Sequence, residues 1–140
     1  VLFNLAQSCE LLKKDTLASS WYEKALKVDS SYPKTWENLI NLYMKLNRIP
    51  ELKNTCNRLV AFDPKNPASY AGLGYAYLQQ GDTMNAVANW EIAFKKGAQS
   101  STRAYSLAGY FSSRGDSVKA NYYYQMSVKL KKSEQGHRSP

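Results

Sequence analysis

His137 is the sole imidazole in the chain, and it lies in the polar terminal stretch KKSEQGHRSP, where nothing apolar surrounds it. Catalytic triads, zinc-peptidase helices and general-base designs need an imidazole held rigid in a pocket, so the chain reads as a non-enzyme. Gly72-Leu73-Gly74 begins like a phosphate-cradling loop, but the third glycine of that motif is replaced by Tyr77 and the segment falls inside a helical pattern. Close helix packing accounts for both glycines. Arg114-Gly115-Asp116 spells an adhesion tripeptide, yet Gly81-Asp82 recurs one period earlier, which marks the place as a turn between two helices. Cys9 and Cys56 are too far apart for a CxxC zinc site and fall in apolar slots, where a thiol behaves as a small hydrophobe. No catalytic residue, metal ligand or cofactor-binding residue is assigned, and no cofactor is expected.

The elements that could position any chemistry are set by composition and period. The chain has 140 residues, 44% of them hydrophobic, and a mean hydropathy of -0.54. That suffices for a core, and no window approaches the 18 apolar residues of a membrane span. The sequence opens Val1-Leu2-Phe3-Asn4, without an initiator Met or an apolar leader. A soluble chain is expected, a fragment of a longer one or a form whose leader has been removed, with the cytoplasm favoured over export or the envelope. Residues 1 to 94 hold 10 Lys/Arg against 9 Asp/Glu, while residues 95 to 140 hold 9 against 2, so nearly all of the net +8 sits in the last third. Lys13, Lys14, Lys45, Arg48, Lys95, Lys96, Arg114, Lys129, Lys131 and Lys132 fall at or just past expected helix C-termini, where cations meet the negative end of the dipole. No Lys/Arg stripe follows one face through consecutive copies, which disfavours nucleic acid as the partner.

Sliding the sequence by 34 residues superimposes Trp36, Tyr70 and Ala104; Leu39, Leu73 and Leu107; Ile40, Gly74 and Ala108; and Tyr43, Tyr77 and Phe111. A second set follows: Ala18, Leu52, Ala86 and Ala120; Tyr22, Cys56, Trp90 and Tyr124; Ala25, Leu59, Ala93 and Ser127. Apolar spacing of three to four residues makes each half of a copy one helix. Helices are predicted over 1–12, 16–28, 34–46, 50–62, 68–80, 84–96, 102–113 and 118–131. The copies divide as 1–32 (incomplete), 33–66, 67–100 and 101–131, followed by a flexible basic tail over 132–140. Gly81 and Gly115 punctuate copies three and four, and Pro50 takes the corresponding place in copy two.

These columns resemble the tetratricopeptide repeat signature, Trp-x2-Leu-Gly-x2-Tyr, then Ala-x3-Phe-x2-Ala, then Pro. Copy three carries Tyr70, Leu73, Gly74, Tyr77, Ala86, Trp90 and Ala93; copy two carries Trp36, Leu39, Tyr43 and Pro64. The resemblance implies an all-α, right-handed superhelical solenoid of about four antiparallel helix pairs, with the first helix of each pair lining a concave groove. It also implies a protein-protein interaction scaffold that holds a peptide or protein segment in that groove. Groove residues carried over from the family are Asn4, Gln7, Lys34, Glu37, Asn38, Asn41, Lys45, Tyr75, Gln79 and Tyr105. The amides suit a peptide backbone and the tyrosines offer rigid amphipathic area. The five slots of the family's chaperone carboxylate clamp match once when aligned on copy one and once on copy two, so a clamp is rejected. The alternatives are an accessory domain of a larger enzyme or of a secretion or envelope-assembly complex and, behind both, a nucleic-acid-binding helical repeat.

The last helix should form an end wall. Tyr122, Tyr123, Met126 and Leu130, framed by Lys129, Lys131 and Lys132, read in two ways: as the isolated apolar residues that a terminal helix tolerates on its surface, or as a contact site for another copy of the chain or a partner with an acidic rim.

Overall fold

The computed structural model describes residues 1–136. Eight α-helices and no strand are found among them: α1 (Leu2–Leu11), α2 (Asp15–Val28), α3 (Pro33–Lys45), α4 (Ile49–Phe62), α5 (Ala68–Gln79), α6 (Thr83–Lys95), α7 (Ser101–Ser113) and α8 (Ser117–Gly136). The fold is an all-α helical repeat. It divides into two compact units, Val1–Lys96 and Gly97–Pro140.

In the first unit, α1 pairs with α2, α3 with α4 and α5 with α6, while α3 packs on α2 and α5 on α4. The 34-residue columns form its interior: Ala6, Ala18, Tyr22, Leu39, Ile40, Leu52, Cys56, Leu59 and Leu73 belong to one buried cluster. The two glycines of copy three are packing devices. A Cβ on Gly72 would stand 2.5 Å from the Cys56 Sγ, and one on Gly74 would stand 2.3 Å from the Trp90 ring. Copies are also tied by polar contacts. The Tyr43 hydroxyl donates to Glu23 at 3.2 Å, and Arg58 meets the same carboxylate at 3.0 Å while lying over the Trp36 ring. Burial, and then the Glu23 charge, push the Tyr43 phenol up to about 12.

The second unit is the α7–α8 hairpin, closed by Ala104, Leu107 and Phe111 and by Tyr123 stacked on Phe111 at 5.8 Å. The predicted end of the last helix at 131 is corrected: α8 runs on to Gly136. Glu134 supplies the reason. Its carboxylate accepts from the Ser101 backbone N–H at 3.1 Å and from the Ser101 hydroxyl at 2.6 Å, capping α7 and holding the extra turn of α8 in place. Residues 137–140 of the expected tail, His137 included, lie outside the described residues.

The turn inside each copy repeats more strictly than its residue types. Lys13, Asn47, Gly81 and Gly115, each one period apart, have φ of 57°, 53°, 77° and 77°. The N–H that follows reaches back to Cys9, Tyr43, Tyr77 and Phe111 at 2.8 to 2.9 Å, which is the Schellman closure. Asn47, not Pro50, therefore occupies the turn slot of copy two, and Pro50 opens α4. Copy one holds a lysine where the left-handed region costs an L-residue about 1 kcal/mol. Lys13→Gly is expected to raise stability by about 0.5–1 kcal/mol, the relief exceeding the entropy lost to the unfolded chain. An unchanged urea midpoint would contradict that.

Candidate functional site

The carried-over groove positions lie on the first helices of the copies, and α1 and α3 bring five side chains around one cleft of about 490 Å³. Gln7, Glu10 and Leu11 come from α1, Asn38 and Asn41 from α3. Glu10 is the member that the sequence reading missed. It occupies the slot of Met44, Leu78 and Ser112 in the later copies, so a carboxylate in a column with no other charge was the available signal.

A buried phenol organises the floor of this cleft. Tyr22 of α2 reaches up between α1 and α3, donates its hydroxyl to a Glu10 carboxylate oxygen, and accepts from the Asn38 amide at 3.3 Å. Burial first, and the Glu10 carboxylate second, hold this phenol well above the ordinary tyrosine range. Asn38 is thereby fixed in orientation with its carbonyl oxygen and second N–H left for another molecule, while Asn41, one helical turn away, is exposed. The cleft thus presents two amides, a third from Gln7, and one carboxylate, on an apolar shoulder at Leu11.

The other expected residues are distributed differently. Asn4 is exposed on α1. Lys34 pairs with Glu37 at 3.3 Å, and Lys45 with Asp15 at 3.0 Å. Tyr75 is half-buried against the core cluster and Gln79 is exposed. Tyr105 belongs to the second unit, where it borders a cleft with Tyr124 and Val128. Of the end-wall residues, Tyr122 is exposed and Met126 and Leu130 are half-buried, whereas Tyr123 is corrected to a core residue of the hairpin. The charge reading holds for Lys45 and Lys95 in last turns and for Lys96 and Arg114 at C-caps. It fails for Lys129, Lys131 and Lys132, which the longer α8 places before its final turn.

The chemistry available is hydrogen bonding and packing. Both cysteines are buried, and burial pushes the Cys56 thiol up to about 12, far from a reactive thiolate. Among the described residues no group of three or more His, Cys, Asp or Glu gathers where a metal would bind, and no helix is long and apolar enough to cross a membrane.

Solved structures share this fold at low identity. A structure of MamA aligns with a TM-score of 0.75 at 14% identity, covering 96% of this chain and 79% of that one. MamA from Desulfovibrio magneticus aligns at 0.72 and 16% identity, covering 94% and 75%. PilF from Pseudomonas aeruginosa aligns at 0.77 and 20% identity, covering 91% of this chain and 59% of that one. No curated protein matches the sequence significantly. Residues 1–32 match one tetratricopeptide repeat family model and residues 55–88 another. The second match straddles two copies, as expected of a stacked array in which no helix is a privileged start. With the 34-residue helix-pair period, these two matches support a tetratricopeptide repeat protein.

Proposed function

We propose that this chain is a non-catalytic scaffold that binds an extended segment of another protein across the α1–α3 cleft; the general role in protein interaction goes with the family, and the cleft is our own assignment. The observation that carries it is the Glu10–Tyr22–Asn38 chain of hydrogen bonds, which orients one amide beside an exposed second one. A carboxamide offers a donor and an acceptor together, the pair that an extended peptide backbone presents at each residue. Glu10 in the cleft and Glu37 near it disfavour a polyanion or a C-terminal carboxylate as occupant and favour a neutral or basic segment. Peptides selected against the whole chain from a display library test this. Asn38→Ala and Asn41→Ala are each expected to weaken the selected peptides by about 1–3 kcal/mol; Asn41→Ala should leave the circular dichroism melt in place, and Asn38→Ala, which also loses its bond to Tyr22, should lower stability by no more than about 0.5–1.5 kcal/mol. Equal affinity for both variants would remove the cleft from the account.

A further inference from the structure

The two walls of the α1–α3 cleft differ in chemistry. The α3 wall carries Asn38 and Asn41, and the α1 wall carries Gln7, Glu10 and Leu11, at the three- and four-residue spacing that puts them on one helix face. Glu10 stands apart from the neighbouring carboxylates. Glu37 is paired with Lys34 and Asp15 with Lys45, so two cations of α3 are already held by other acids. Glu10 is tied instead to a neutral group, the Tyr22 hydroxyl, which donates to one of its carboxylate oxygens. Asn38 donates to the same hydroxyl at 3.3 Å. The donors therefore run in one direction, from amide to phenol to carboxylate, which fixes Glu10 in place, leaves its charge uncancelled and leaves its second oxygen to the cleft.

We propose that the α1 wall is a lysine-reading subsite: it takes one lysine side chain of the bound segment, ammonium on Glu10, while the α3 amides hold that segment's backbone. The inference rests on the peptide-binding role proposed above. Charge complementarity selects a cation. The bond from Tyr22 then selects between cations. An arginine fork is matched by both oxygens of one carboxylate, and here a hydroxyl holds one of them. A lysine ammonium is a point charge with three donors, and it can meet the second Glu10 oxygen together with the Gln7 side-chain carbonyl, one turn away on α1. Its aliphatic stem lies along Leu11, which is 84% exposed and gains cover from it.

Random peptides displayed on phage and selected against the whole 140-residue chain supply the probes. The selected peptides should share a lysine at one position, in preference to arginine. Replacing that lysine with norleucine, which keeps the stem and drops the charge, should cost at least about tenfold in affinity by fluorescence anisotropy. Glu10→Gln retains an oxygen to accept from Tyr22, so it should keep the fold and lose the same factor. The norleucine peptide should then bind Glu10→Gln and the wild type alike, because a direct contact is lost only once in a double-mutant cycle. Should Glu10→Gln disturb the helical circular dichroism signal, Gln7→Glu at an exposed position takes its place: it should tighten the lysine peptide several-fold and leave the norleucine peptide unchanged. A norleucine penalty of equal size with and without the Glu10 or Gln7 substitution overturns the proposal. So do selected peptides that share no lysine, or that carry arginine there as often. If such peptides still weaken with Asn38→Ala and Asn41→Ala, the peptide-binding reading stands without the lysine site. Peptides insensitive to both asparagine variants would remove that reading and the lysine site together.

Discussion

Tyr22→Ala is expected to cost about 3–5 kcal/mol, the largest loss from any single substitution considered for the first unit. The ring is fully buried, packs on Phe3 at 5.8 Å, and belongs to the cluster that joins α1, α2, α3, α4 and α5. Truncation leaves a cavity between two copies and strands Glu10 and Asn38 without their shared partner. Tyr22→Phe separates the two losses. It keeps the packing and removes only the hydroxyl, so it should cost about 0.5–1.5 kcal/mol in denaturant unfolding. The pH dependence has a definite sign. The folded phenol holds its proton more tightly than the unfolded one, so its contribution is complete below the ordinary tyrosine value of 10.0 and is lost progressively as pH rises above it. Wild-type stability should therefore fall faster than that of Tyr22→Phe above pH 10. Parallel curves would show that the buried hydroxyl contributes nothing of this kind.

Gly74→Ala is expected to destabilise by about 1–2 kcal/mol, although alanine is the better helix former by about 1 kcal/mol. The new methyl would stand 2.3 Å from two atoms of the Trp90 ring, so the ring or α6 must shift. The sequence itself indicates the remedy. Across the copies the same two slots read Ala6 with Tyr22, Ile40 with Cys56, Gly74 with Trp90 and Ala108 with Tyr124. The largest ring stands opposite the residue with no side chain, and the smallest partner opposite the bulkiest aliphatic. Each copy fills one fixed space in its own way. Gly74→Ala with Trp90→Tyr recreates the pairing of copies one and four and should recover most of the loss. A double variant no more stable than Gly74→Ala would mean that the two slots do not share that space.

What the sequence makes legible is the part governed by period. Within copies one to three most residues of the apolar columns are placed correctly in the core, Ala18, Tyr22, Leu39, Leu52, Cys56, Leu59 and Ala86 among them, because burial there follows from the stacking of copies; Tyr124, in the same column as Tyr22, is exposed. Where a slot changes chemical type between copies, the reading fails. Asn47 and Lys13 adopt the glycine conformation without being glycine, so only their register with Gly81 identifies them. Glu10 hides in a column whose other members, Met44, Leu78 and Ser112, carry no charge. Tyr123 was assigned to the surface, yet its counterpart Thr55 is buried despite its hydroxyl, and the slot turns inward. The length of α8 depends on Glu134 reaching Ser101, a contact between residues 33 apart that no local pattern encodes.

On the function proposed above, the α1–α3 cleft receives a peptide backbone through its amides. Side-chain amide resonances measured in a ¹⁵N-labelled chain during titration with a display-selected peptide test it most directly. The account predicts that the Nδ2 signals of Asn38 and Asn41 and the Nε2 signal of Gln7 shift together and saturate with the same affinity, while Asn85 and Asn89 on α6 stay in place. A peptide that saturates the chain while those three amides remain still, or that moves the α6 amides instead, would contradict it.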